Sequence, residues 1–407
     1  MEVACSPQCL EEKGDNREHI ATLYNTLGAY YLAVARADQN GREENFKKAQ
    51  SYFSKLGSSR LHGEQNTEGF KVGEIGKGLI DFYKGAYDRA SQYFNYVLQI
   101  EPTYIPALLG KAAVNFNVGR YQDALKMYKS VLQFHPECPP AVRLGLGLCY
   151  QRLGRPVKAR QCFERTLALE PDNVEALIGL AVLEMNTSSA DGKVSALRLL
   201  KNAHQFDRAN PMILNHFSEH FFSKGQYEKV ESYSGLALKS TDVPGMRSQS
   251  CYQIGRAMHA KGNYSGAFRF YEEAIKLETV ARGGSEKPAF LLPYFGRAQL
   301  WLFNGQYEQA LADIRTILSV SPEAYEPLKM LSSLEANAGH FKEAIKQFKR
   351  VLELNPDDAD AWLELSTLIE KTDTKEALAA YENAQKLLKS DTSEEDVLPA
   401  AMYNNLG

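Results

Sequence analysis

Between Lys71 and Pro171 the chain runs three times through the same order of small, apolar and helix-breaking positions. Laid over one another, the passes read Gly78, Gly85, Ala90, Phe94, Pro102, then Ala112, Gly119, Ala124, Tyr128, Pro136, then Gly147, Gly154, Ala159, Phe163, Pro171. Each pass predicts two helices joined by a tight turn. A small residue on the first helix lets the second approach closely. The next glycine ends the first helix in a left-handed cap, and alanine with an aromatic ring fills the contact between the two. Proline then stops the second helix and redirects the chain. Gly, Ala and Pro are common, so one such match says little. Three in register, 34 and then 35 residues apart, define a repeat.

This order at this period is that of the tetratricopeptide repeat (TPR). The expected fold is all-α: a right-handed superhelical TPR solenoid of about ten helix pairs, continuous because each pair buries its apolar face only on its neighbours. Residues 1–17 are polar and expected to be disordered. A degenerate pair is expected over 18–60, with Leu27, Gly28 and Tyr31 on one helix and Ala49 and Phe53 on the next, joined by a long link at residues 35–48. The array proper is expected over 71–390. Its units lie near 71–104, 105–139, 140–173, 174–210, 211–245, 248–282, 291–324, 325–358 and 359–390. The loop at residues 187–193 reads as a flexible turn. Residues 391–407 read as an acidic link followed by half of a further first helix, which predicts a truncated chain.

Composition narrows the function. A formal charge of -3 offers no general pull toward phosphate backbones, so direct nucleic-acid binding is disfavoured. The six cysteines (Cys5, Cys9, Cys138, Cys149, Cys162 and Cys251) lack a disulfide framework and suit a reducing compartment. With no signal-peptide pattern and no 18-residue apolar stretch, no membrane association is expected, and the reading is of a soluble intracellular protein.

Chemistry offers few footholds. His216, Glu219 and His220 fit the H-x-x-E-H order of inverted zinc peptidases, but no third ligand presents itself on a downstream helix, and the plainer reading is the polar face of a repeat helix. Cys5 and Cys9 lack a second pair. The run Gly73 to Gly78 lacks the phosphate-loop spacing and a preceding strand, and reads as helix. Nothing organises a pocket around a nucleophile or base, so no catalytic residue, metal or cofactor is expected and the protein is not read as an enzyme.

Binding is better supported. In such repeats the first helix lines a concave groove with its positions 2, 5, 9 and 12. Over the first four clear units these positions include Val72, Ile75, Leu79, Phe82, Leu109, Phe116, Leu144, Leu148, Ile178, Val182 and Met185. They predict an apolar groove for an extended apolar partner segment, since soluble monomers rarely leave such a surface open. Further along, the same positions turn polar: Asn215, Glu219, Gln249, Arg256 and His259, then Lys329 and Ser333. Chaperone-binding repeats need Lys and Asn at positions 5 and 9 for a carboxylate clamp. Ile75/Leu79, Leu109/Ala113 and Leu144/Leu148 exclude that class.

Several stretches go beyond generic repeat pattern: 105–117 (IPALLGKAAVNFN), 138–150 (CPPAVRLGLGLCY), 173–186 (NVEALIGLAVLEMN), 210–222 (NPMILNHFSEHFF), 292–300 (LPYFGRAQL) and 373–384 (DTKEALAAYENA). Over roughly 20–407 the chain resembles the large TPR scaffold subunits of the polymerase-associated factor (PAF) complex, which acts in RNA polymerase II transcription elongation. Asn210, Asn215 and His220 add to the resemblance as residues that repeat packing does not obviously dictate. The resemblance implies a nuclear scaffold whose partners are the other PAF subunits, with the namesake subunit along the groove. Effects on RNA polymerase II and on cotranscriptional histone modification would be indirect. The anaphase-promoting complex supplies an alternative TPR scaffold reading, and a zinc peptidase a remote one.

Overall fold

The computed structural model describes residues 17–37, 41–56, 68–187, 189–281, 287–370 and 372–391, and among them all regular structure is helical. Two compact units divide the chain at Arg208 and Ala209, each with five helix pairs. The first holds α1 (Arg17–Ala37) with α2 (Arg42–Leu56), α3 (Glu68–Tyr83) with α4 (Tyr87–Ile100) and α5 (Ile105–Asn117) with α6 (Tyr121–Phe134). It continues with α7 (Pro140–Arg152) and α8 (Pro156–Leu169), then α9 (Val174–Met185) and α10 (Ala190–Phe206). The second holds α11 (Pro211–Ser223) with α12 (Tyr227–Ser240), α13 (Pro244–Ala260) with α14 (Tyr264–Ala281) and α15 (Leu292–Phe303) with α16 (Tyr307–Val320). Its last pairs are α17 (Tyr325–Asn337) with α18 (Phe341–Leu354) and α19 (Ala359–Ile369) with α20 (Thr374–Asp391). The single continuous solenoid expected from sequence is thus described as two units. In an array held together by neighbour contacts alone, any junction can serve as a boundary.

Four of the pairs each close around one ring. Phe94 on α4 is fully buried, and a Cβ added at Gly78 on its own first helix would sit 2.8 Å from the ring. One added at Gly110, on the first helix of the next pair, would sit 2.6 Å from it. The ring is therefore clasped between two glycines, one from each side of the repeat boundary. Phe163 is held the same way by Gly147 and Gly179, Phe53 by Gly28 and Gly76, and Tyr271 by Gly255 and Gly296. Burying such a side chain contributes roughly 1.5–3 kcal/mol, and the missing Cβ atoms allow the approach.

The turns repeat too. Seven glycines, Gly85 (φ 78°) among them, take positive φ where the first helix ends. In each case the following N–H reaches back five residues, as Ala86 does to Asp81 and Arg155 to Tyr150, both at 2.8–2.9 Å. That six-to-one bond satisfies a carbonyl that the helix end would leave without a partner. Helix starts are fixed by side chains as well: Asn173 caps α9 through the Ala176 amide and Asn210 caps α11 through Met212 and Ile213. Within the second pair Lys71 on α3 meets Glu101 at the end of α4 at 2.6 Å, and from the start of the next pair the Tyr104 hydroxyl donates to Glu68 at 2.5 Å. In the second unit Arg297 grips Asp313 with two bonds of 2.7 and 2.9 Å.

Several expectations are corrected. Most of the link read at 35–48 is helical: α1 runs to Ala37 and α2 starts at Arg42. Of the flexible turn at 187–193, Ala190 onward belongs to α10, because the Ser189 side chain caps it at the Gly192 amide. The α3 helix begins at Glu68, three residues before the expected start, and runs through Gly73–Gly78. Arg17, the last residue expected to be disordered, is helical, whereas residues 1–16, with Cys5 and Cys9, lie outside the described residues. So do 392–407, with the acidic link and the further helix read there.

Two substitutions separate the clasp from the cap. Gly110→Ala is expected to cost about 1–3 kcal/mol by driving a methyl group into Phe94, and pairing it with Phe94→Leu should cost less than the sum of the two alone. Gly85→Ala meets no atom within 4 Å, so its cost of about 1 kcal/mol comes from the backbone and no neighbouring change should relieve it. Urea unfolding midpoints of the four variants check both.

Candidate partner-binding faces

In the first unit the first helices α3, α5, α7 and α9 adjoin in sequence, and between them they carry the eleven residues read as groove-lining. Val72, Leu79, Phe82, Leu109, Phe116, Leu144, Leu148, Val182 and Met185 are half-buried. Ile75 and Ile178 are buried, with 8% and 5% of their surface exposed, so neither lines an open groove. Ile75 sits in the core with Phe94, Val97 and Ala107, between α3, α4 and α5. Ile178 belongs to a helix that is apolar nearly all round, and such a helix is buried on more than one face.

The half-buried residues also join the pairs. Val72 and Leu79 pack on the cluster of Tyr24, Phe53 and Ile80, and Leu109 on Val131, Cys138 and Val142. Phe116, Leu144 and Leu148 pack on the cluster of Leu146, Phe163 and Leu180. Phe82 and Phe116 are held edge-on by Tyr87 and Tyr121, with ring centroids 5.7 and 5.3 Å apart. The half-buried residues therefore leave an apolar strip of preset side chains with two members fewer than the groove expected, Ile75 and Ile178 being buried. Side chains fixed in this way lose little freedom when a partner covers them.

In the second unit the polar positions converge. A cavity of about 140 Å³ is lined by Met212, Asn215, His216 and Glu219 of α11, by Gln249, Tyr252, Gln253 and Arg256 of α13, and by Phe290 and Leu292. The Arg256 guanidinium lies 4.1 Å from the Phe222 ring centroid and 5.5 Å from that of Tyr252. Its Nε and one terminal nitrogen have no hydrogen-bond partner, and neither has Oε1 of Gln253. Asn215 is fully engaged, donating to the Met246 carbonyl at 3.4 Å and accepting from Ser250 at 2.9 Å. Asn210 and Asn215 thus serve as a cap and as a bridge between helices, roles in the packing that their sequence context did not suggest.

His216 and Glu219 of the H-x-x-E-H order line this cavity together, beside the fixed Arg256 cation, which opposes a metal ion there. Among the described residues no three His, Cys, Asp or Glu side chains are placed to hold a metal. The four described cysteines are free, and burial pushes the Cys149 and Cys251 thiols up to about 11, so neither supplies a thiolate near neutral pH. No described helix is long and apolar enough to cross a membrane.

The TPR family pattern matches residues 82–139, 116–181, 248–279 and 326–368. The chain is a tetratricopeptide-repeat protein. Within that class it is similar to the CTR9 proteins: it is 36% identical over 392 residues to the CTR9 homologue of Arabidopsis thaliana, covering 96% of this chain and 34% of that protein. To the RNA polymerase-associated protein CTR9 of Caenorhabditis elegans it is 30% identical over 331 residues, covering 79% of this chain and 28% of that one. It thus spans about a third or less of these relatives' length. Among solved structures, a chain in the crystal structure of the APC/C hetero-tetramer Cut9–Hcn1 superposes with a TM-score of 0.63. At 14% identity over 88% of this chain and 64% of that one, it shares the fold.

Burial lowers the His216 pKa, against a smaller opposing effect of the Glu219 carboxylate, and burial lowers that of His259 too. A depressed imidazole pKa means that the unfolded chain takes up a proton the folded chain refuses. Stability should then fall as pH drops below the ordinary value of about 6.5 and level off beneath the folded value. His216→Gln is expected to make the fall of the urea midpoint between neutral and mildly acid pH shallower, with the contribution of His259 left in place.

Proposed function

We propose that this chain is a scaffold of the PAF transcription-elongation complex, and that the apolar strip of its first unit receives an extended apolar segment of another PAF subunit. The observation that carries the reading is the similarity to CTR9 proteins over 96% of the chain, which takes in every described helix pair. The strip supports it physically: half-buried aliphatic and aromatic residues continue over four successive first helices, the arrangement from which a few anchors dominate binding. On this reading the chain works in the nucleus without catalysis. It acts on RNA polymerase II and on cotranscriptional histone modification through the subunits it holds together, and makes no direct contact with nucleic acid.

The test is affinity capture of the tagged chain from nuclear extract at high salt, with the bound proteins identified by mass spectrometry. An apolar interface resists salt, which screens charge pairs, so the other PAF subunits should be recovered in near-equal amounts. Recovery of chaperones alone would sink the assembly reading. In the same assay Leu109→Glu with Leu144→Glu should reduce capture at least about tenfold, or roughly 1.4 kcal/mol, with helical content by circular dichroism unchanged. Val194→Glu, an exposed change in the same unit, is the control and should leave capture as it was. Undiminished capture by the double variant would remove the strip from the interface.

A further inference from the structure

The chain is acidic overall, yet between Val118 and Arg160 it carries eight Lys and Arg against two Asp and Glu. Several of these cations are accounted for: Arg143 braces the backbone at Pro136 and Cys138, Arg160 pairs with Glu184, and Lys126 pairs with Asp123. Five are not. Arg120, Lys129, Arg152, Arg155 and Lys158 are all exposed and have no ion-pair partner among the described residues.

The fold brings two of these together and sets the other three at helix ends. Lys129 of α6 and Lys158 of α8 each lie 5.8 Å from the ring centroid of Tyr150, so one ring brings together cations from two helix pairs. Arg152 closes α7, Arg155 caps α8 and Lys158 stands in its first turn. Arg120 occupies the equivalent cap of α6, and its charge reinforces the lowering that burial imposes on the Lys111 ammonium.

The placement works against the fold's own stability. A helix start carries partial positive charge and favours an acid, and eight of the ten second helices place Asp or Glu in that turn. At the start of α8 there is none, and cations stand there instead. Near Arg120 and Lys158 in the chain stand two exposed aliphatic side chains, Val118 at 47% and Val157 at 70% exposure.

We propose that this turn edge of the first unit, built on Arg120, Arg155, Val157 and Lys158, is a second docking surface, for an acidic protein segment carrying apolar residues among its carboxylates. Charge complementarity names the partner: unpaired cations supply the attraction and the valines the apolar contacts. Nucleic acid fits less well, because Tyr150 is buried and the exposed apolar groups among the cations are aliphatic, whereas single strands are held by stacking on aromatic rings. The surface involves none of the strip residues, so it stands or falls apart from the assembly reading.

The probe is a short fluorescein-labelled peptide of alternating Glu and Leu, titrated against the full chain by fluorescence anisotropy. Its Gln-for-Glu counterpart and an oligouridylate of equal length are run beside it. The acidic peptide should bind tightest of the three, and more weakly as salt rises. Arg120→Glu with Arg155→Glu and Lys158→Glu should weaken it at least about tenfold. Arg120→Lys with Arg155→Lys and Lys158→Arg should retain binding within about threefold, since charge is kept. The single change Lys158→Glu should raise the urea midpoint while lowering affinity, which a structural role for the cation would not produce. Tighter binding of the oligouridylate would overturn the proposal in favour of nucleic acid. Equal binding of the Gln peptide, an unaffected triple charge reversal, or a lowered urea midpoint for Lys158→Glu would each overturn it outright.

Discussion

One contact recurs at four of the boundaries between described helix pairs: an aromatic ring on a second helix, seated between a glycine of its own first helix and a glycine of the next. Phe94 between Gly78 and Gly110, and Phe163 between Gly147 and Gly179, show it most clearly. The ring sets how close three helices come, and the absence of a Cβ on both sides lets them come that close. Because the second glycine belongs to the following pair, no pair completes its core alone, which is why an array of this kind is stable only as neighbours. Caps and turn glycines then settle where each helix stops, and with it which residues are left facing outward.

What faces outward differs between the two units. In the first, the exposed sides of α3, α5, α7 and α9 are apolar and half-buried, a surface that a partner can dry at small entropic cost because neighbouring rings already hold its side chains. In the second, the corresponding positions gather Asn215, Glu219, Gln253 and Arg256 around a small polar cavity. There the Arg256 guanidinium is stacked on Phe222 and held away from the ion pairs that most other internal cations find. On the proposed reading, a scaffold with one apolar and one polar face holds segments of different chemistry without confusing them, since each face leaves the other's ligand with unpaired groups or exposed apolar surface.

Much of this was legible in the residues. The seven turn glycines with positive φ stand at the positions where the repeat pattern expects a left-handed cap. The intra-pair half of each clasp, Gly78 with Phe94 or Gly147 with Phe163, was likewise visible. The second half left a signal that could have been read: Gly76, Gly110, Gly145 and Gly179 recur 34, 35 and 34 residues apart. Side-chain caps were harder to see. Ser189 draws Ala190–Lys193 into α10 although the stretch has the composition of a loop, because one hydrogen bond at a helix start outweighs weak local preferences.

The residue order by itself determined the class of fold, the number of pairs, their turns and the kinship with CTR9 proteins. The kinship rests on residue identity along nearly the whole chain; the rest follows from local stereochemistry, in which glycine, proline and a ring at fixed spacing admit few backbones. Only the tertiary structure decided which apolar side chains stay reachable. Ile75 and Ile178 share the spacing of Leu79 and Val182, yet they are buried, because burial depends on which neighbouring helix covers a face and not on position along one's own helix. It also decided that Lys129 and Lys158, 29 residues apart, flank one tyrosine and form a basic edge on an acidic chain. Net charge sums over the sequence, whereas a partner meets only the charges that folding places side by side.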